Sequence, residues 1–155
     1  MVKIAVISDT HGTINSGNVK DLFPKNSLLL TLGDIFLGEL KILQSHYNFI
    51  GGVKGNCDAG NFLPLSETVE IENVRIFLSH QPPRIKIFSR EEDQAEGYDI
   101  VLFGHLHRRV LLRENGLAYF SPGAFSSPRD GHGPSVGIIE INDGKFNFRF
   151  VEVNG

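Results

Sequence analysis

The stretch Asp99–Val110, "DIVLFGHLHRRV", decides the fold. Ile100, Val101, Leu102 and Phe103 form an apolar run that ends in Gly104 and is followed by two histidines, His105 and His107. In an extended chain, side chains at i and i+2 point the same way, so two imidazoles come to one side of one strand tip. The pattern repeats outward from this run. "KIAVIS" is followed by Asp9 and His11, "LLLTLG" by Asp34, "NFIGGVKG" by Asn56 and Asp58, and "RIFLS" by His80. In open α/β sheets the loops at the carboxyl ends of strands converge on one edge, so groups scattered from Asp9 to His107 are expected to form one site.

The rest of the chain fits an α/β protein with a β-rich second half. Val2–Ile7 and Ser27–Leu32 are rich in aliphatic residues and read as strands of a largely parallel sheet. The segment "NSGNVKDLF" between them has the length of a short crossover helix. "LGELKILQSHY", Leu37–Tyr47, predicts a second helix, leading into a strand around Phe49–Val53. Thr68–His80 reads as a hairpin turning at Glu72 and Asn73. "SREEDQAEG" predicts a polar helix capped by Ser89, with Glu92 at the capping-box position and Gly97 as its stop. Two further hairpins turn at "ENG" and at "NDG", Asn142–Gly144.

With 155 residues, 41% hydrophobic and 21% charged, the chain has the size of one domain, taken as 1–155. A lone cysteine, Cys57, excludes an internal disulfide and favours a cytoplasmic address. Burial as an inert thiol is its expected state. The apolar run before Ser8 is too short for a signal peptide or a membrane span, so no membrane partner is expected. The net charge of −3, with acids and bases interspersed, and the lack of a basic stripe disfavour long nucleic acid as a partner. The alternating apolar residues of "FNFRFVEV" leave room for a homo-oligomer, although ordinary sheet packing would account for them equally well.

Four imidazoles, two carboxylates and a carboxamide oxygen are more ligands than one tetrahedral ion can use. Two divalent metal ions are the economical reading, and ions so close need a shared carboxylate between them, for which Asp34 is the candidate. Nitrogen and oxygen donors without thiolate suit manganese, nickel, zinc, iron or cobalt better than calcium or magnesium. Singly, Asp9 could cap a helix, Asp34 could make a turn and His80 could be an interior histidine. Five strand ends carrying such residues together argue against that explanation. His46, in a helix, and His132, in a glycine-rich loop, are expected to be solvated.

The clusters "SDTHG", "LGDIF", "GNCD", "SH" and "GHLH", in this order, resemble the calcineurin-like metallophosphoesterase superfamily. "GNCD" is similar to its YfcE-type phosphodiesterase branch. The resemblance implies a four-layer αββα sandwich of two mixed β-sheets flanked by helices. It implies further that Asp9, His11 and His107 hold one metal, that Asn56, His80 and His105 hold the other, and that Asp34 bridges. Asn56, Asp58 and His80 are the candidate catalytic residues, with Asp58 expected to orient Asn56 or a histidine. Many members carry histidine where Cys57 stands, so the proton donor for the leaving group is open here. Arg129 is a candidate helper at the pocket mouth, weighed against an ordinary surface arginine. The expected activity is hydrolysis of a small phosphodiester by attack of a metal-bridging hydroxide, with manganese as the expected metal. A phosphomonoesterase or nuclease on the same site is one alternative. The other is a non-catalytic protein-binding scaffold like the retromer subunit that shares this fold.

Overall fold

The computed structural model describes residues 1–58 and 62–153. Ten strands and one α-helix are defined among them, in the order β1 (Val2–Ile7), β2 (Leu28–Thr31), α1 (Leu37–His46), β3 (Asn48–Gly52), β4 (Ser66–Ile71), β5 (Val74–Ser79), β6 (Ile100–Leu102), β7 (Arg109–Glu114), β8 (Leu117–Pro122), β9 (Ser135–Asn142) and β10 (Lys145–Glu152). They form two five-stranded sheets, β10-β9-β1-β2-β3 and β4-β5-β6-β8-β7. Both are mixed. In the first, β1 and β2 are parallel while β9 runs against β1; in the second, β5, β6 and β8 are parallel between antiparallel edge strands.

Strand alternation builds the layers. Ile4 and Val6 of β1 face the core between the sheets, with Leu30, Ile76, Leu78, Ile100, Leu102 and Phe120. Ala5 and Ile7 face the other way, onto a cluster with Leu40 and Leu43 of α1. Ile87 covers Val101, Phe103 and Leu117 on the outer side of the second sheet. All four residues Ile4–Ile7 are fully buried, and each large apolar side chain so removed from water contributes about 1.5–3 kcal/mol before its ordering cost. The aromatic stripe of β10 is sheet packing: Phe146, Phe148 and Phe150 lie against the inter-sheet core, and the Phe148 ring stacks on Phe120 at 4.8 Å.

Two expected helices do not form. In Asn15–Phe23 the Asn15 side chain accepts the N–H groups of Gly17 and Asn18, diverting the backbone into turns. In Ser89–Gly97 the reciprocal Ser89–Glu92 contacts are present, at 3.2 and 3.4 Å, and Gly97 N–H closes on Asp93 O. Asp93, however, accepts the N–H groups of Ala95 and Glu96, starting a second turn before the first becomes a helix. The helix α1 and all three expected hairpins are present, the hairpins with positive φ at Glu72 and Asn73, Asn115 and Gly116, and Asp143 and Gly144.

Candidate metal centre

The parallel strands β1, β2, β5 and β6 all deliver their carboxyl ends to one rim of the sandwich. Beyond each end the chain turns sharply. Asp9, His11, Asp34, His105 and His107 all have positive φ, from 45° to 67°, a region that non-glycine residues enter at a cost of about 1 kcal/mol or more. Backbone hydrogen bonds hold them there: Asp9 N–H donates to Gly33 O, His11 N–H to Asp34 O, and Gly104 N–H to His80 O.

Four imidazoles fall into two pairs. His11 and His107 have ring centroids 5.4 Å apart, and His80 and His105 are 5.1 Å apart. The two carboxylates lie between the pairs, each with one oxygen engaged and the other turned inward. Asp9 Oδ2 accepts from the Ser8 hydroxyl at 2.8 Å and from His105 N–H at 3.2 Å. Its Oδ1 is buried without a hydrogen-bond partner, 3.6 Å from His107 Nε2, 3.8 Å from His11 Nε2 and 4.0 Å from His80 Nε2. Asp34 Oδ1 accepts from Cys57 N–H at 2.9 Å, while Oδ2 lies 3.3 Å from His80 Nε2 and 3.6 Å from His11 Nε2. Asp34 therefore touches both imidazole pairs, as a bridging carboxylate must. Asp9 does so too, although the sequence singled out only Asp34.

Carbonyl acceptors fix the histidine tautomers. His80 Nδ1 is 2.7 Å from Leu32 O and His107 Nδ1 is 2.8 Å from Ser127 O, so both nitrogens carry protons and both Nε2 lone pairs face inward. His105 presents Nδ1 instead, 3.3 Å from His80 Nε2. Two nitrogens each about 2.1 Å from one ion at tetrahedral angles are about 3.4 Å apart, so this pair fits a shared cation. On the side of the other pair, Asp9 Oδ1 and His11 Nε2 are both buried without a hydrogen-bond partner. The triads Asp9–His11–His107 and Asp9–Asp34–His80 overlap, which is the arrangement of a site for two divalent ions.

Asn56 lies on the exposed turn after β3 and lines, with His80, a hollow of about 250 Å³ whose other walls include Lys54, Leu65 and Gln81. Among the described residues Asp58 hydrogen-bonds neither an imidazole nor Asn56, and its Oδ1 has no partner. Its Oδ2 instead accepts the N–H groups of Asp34 at 2.8 Å and Gly55 at 2.7 Å, fixing the backbone of both ligand-bearing turns. Burial pushes its carboxyl above the usual range, against the opposing effect of those two hydrogen bonds. Cys57 is exposed, contrary to the buried thiol expected, because the 55–58 turn carries it to the rim. Desolvation, reinforced by Asp34, Asp58 and Asp9, pushes its thiol up. Arg129 is exposed and meets the site through its backbone, donating N–H to His107 O at 2.8 Å. His46 and His132 are exposed, as expected.

Two supports escaped the sequence reading. Glu39, buried in the first turn of α1, accepts N–H groups from Gly12, Ile14 and Phe36, anchoring the loop that follows His11. Gly55 permits close approach: a Cβ there would collide with the Asp34 carboxylate and backbone N. The glycine was visible in "KGNCD", but only the fold shows what it adjoins.

A family model for the calcineurin-like phosphoesterase superfamily domain matches residues 2–144. A probable metallophosphoesterase of Methanothermobacter thermautotrophicus is 28% identical, over 96% of this chain and 91% of that protein. Phosphodiesterase YfcE of Escherichia coli (strain K12) is 26% identical, over 90% of this chain and 88% of its own. In fold, the chain is similar to wild-type Vps29 of Entamoeba histolytica complexed with zinc, with TM-score 0.73, 24% identity and coverage of 99% and 100% of the two chains. No helix among the described residues is long and apolar enough to cross a membrane.

Proposed function

This chain belongs to the calcineurin-like phosphoesterase superfamily, and from that premise we propose that it is a dinuclear-metal phosphoesterase acting on small phosphodiesters. The observation that carries the reading is the inward-facing, unpartnered Asp9 Oδ1 ringed by three imidazole nitrogens. His11 and His107 with Asp9 would hold one ion, Asn56, His80 and His105 the other, and Asp34 would serve both. Manganese is the proposed metal, and the YfcE-type branch the proposed affiliation, supported by the "GNCD" sequence and the relatives above.

Two divalent cations held there would supply the positive charge that acidifies a water and neutralises phosphoryl oxygens. The chain's own residues do the positioning. Leu32 O and Ser127 O keep the lone pairs of His80 and His107 facing inward, and the Ser8 hydroxyl and Cys57 N–H orient the two carboxylates. Asp58 acts as a positioning residue through backbone N–H groups. The hollow beside Asn56 and His80 suits one small ester substituent, and Lys54 on its wall offers a cation to an anionic one.

The test is turnover of a chromogenic phosphodiester by the metal-stripped protein with and without added manganese. Manganese-dependent hydrolysis, lost in a folded His80→Ala variant, supports the enzyme. Inactivity with every divalent metal tried refutes it. The likeness to Vps29 keeps a protein-binding scaffold as the competing reading, which such inactivity together with capture of a defined protein partner would favour.

A further inference from the structure

Cys57 stands in a third ligand cluster, which shares His11 with one imidazole pair and the Asp34 carboxylate with both. Its Sγ, an imidazole nitrogen of His11 and a carboxylate oxygen of Asp34 lie within 4.8 Å of one another. The Cys57 N–H donates to Asp34 Oδ1 at 2.9 Å, tying the thiol-bearing turn to that carboxylate. A separate observation sets an unmet ligand atom beside the His11 of this cluster. The Asp9 side chain is 1% exposed, its Oδ1 has no hydrogen-bond partner, and it lies 3.8 Å from His11 Nε2, itself an unpartnered buried atom. We propose that Cys57 is a conditional metal ligand: a soft or borderline divalent cation held by His11 and Asp34 recruits its sulfur, whereas a hard cation leaves the thiol free.

The inference rests on the metal-site reading above and deepens it by assigning metal discrimination to one side chain. Coordination breaks the S–H bond, releases the proton to solvent and forms a sulfur–metal bond, with no change in oxidation state. Thiolate is a soft donor that suits zinc and cobalt, while manganese prefers carboxylate, carbonyl and water oxygens. A sulfur so recruited takes a coordination position that solvent or substrate would otherwise occupy. The identity of the bound metal thus becomes a switch between a form with a free thiol and a form with a masked one.

The experiment uses the full chain, stripped by chelation and reloaded separately with cobalt, zinc or manganese. A near-ultraviolet thiolate-to-cobalt charge-transfer band is expected in the native protein and absent from Cys57→Ser. Zinc should slow modification of Cys57 by an aromatic disulfide at least about tenfold relative to the metal-free protein, and manganese less than about twofold. Superimposable cobalt spectra of native protein and variant overturn the proposal, as does equal protection by zinc and manganese, which would mean simple occlusion. The protection measurement needs no variant, so it decides the matter even if Cys57→Ser fails to fold. Manganese-dependent diester turnover is assayed on the same preparations. Turnover without the cobalt–thiolate band overturns the conditional ligand alone, whereas the band without turnover overturns the hydrolase alone.

Discussion

Asp34 and Asp143 share a backbone conformation, with φ 53° at both, and sit at opposite ends of the sandwich. Asp34 follows the carboxyl end of β2, is 3% exposed, and turns its carboxylate toward the His11 and His80 imidazoles and the Asp9 carboxylate. Asp143 forms the tip of the β9–β10 hairpin and is exposed. The tips at Glu72–Asn73 and Asn115–Gly116 lie at that same far end, because β5 and β8 start there and finish near the site. At the tips, residues that tolerate left-handed backbone make a turn and face water. At the site, histidines adopt the same conformation despite a weaker preference for it, so the conformation there serves the direction of the side chain.

Asp34→Asn separates the two uses most sharply, since asparagine accepts the left-handed backbone but removes the anionic ligand. On the proposed reading its diester turnover falls at least about 10³-fold while circular dichroism stays native, reflecting lost charge stabilisation of about 4 kcal/mol. The matching Asp143→Asn should leave turnover unchanged and stability within about 0.5 kcal/mol. Near-normal turnover in Asp34→Asn would show that the conformation, not the charge, is what the site needs.

Glycine substitutions extend the contrast to stability. Gly55→Ala drives a methyl into the Asp34 carboxylate and backbone, and should cost about 1–3 kcal/mol in chemical denaturation as well as weaken metal binding measured by calorimetry. Gly144→Ala meets open space but must hold φ at 75°, so about 1 kcal/mol is expected with metal binding intact. Equal metal affinity in both variants would break the distinction between the two ends.

The smallest expected effect concerns Asp130, which tethers the loop after β8 to the start of β7. Desolvation raises its carboxyl pKa, but hydrogen bonds from Arg109 N–H at 2.7 Å and His132 N–H at 3.1 Å outweigh this and hold it below the usual range. The sign follows from the lowered value: the stabilisation is present above the unfolded pKa of about 3.9 and is lost as pH falls through the folded one. Asp130→Asn should therefore flatten the stability profile below about pH 4, read from thermal unfolding across acid buffers, without altering the metal-bound spectrum at neutral pH.

Ligand types were legible because each follows an apolar run; two hairpins were legible because Asn115–Gly116 and Asp143–Gly144 announce their own geometry, and the third from the alternation flanking Glu72 and Asn73. The supports were not. Ser8, Leu32 and Ser127 hold ligands through a hydroxyl or carbonyl groups, and a carbonyl is common to every residue type. Glu39 is in sequence an ordinary first-turn acid of α1, and its bonds to Gly12 and Ile14 depend on tertiary placement. The two missing helices failed for a local reason visible only in competition: Asn15 and Asp93 each won nearby N–H groups that a helix would have used.

On the flank where β3 and β4 end the two sheets, Glu67 Oε2 accepts the Gly52 N–H at 3.0 Å. An outer strand normally offers such donors to any passing extended polypeptide, which is how stacked fibrils recruit new molecules. Here one donor is already spoken for by an acid whose charge also repels a like flank, so this border is a poor template for polymerisation.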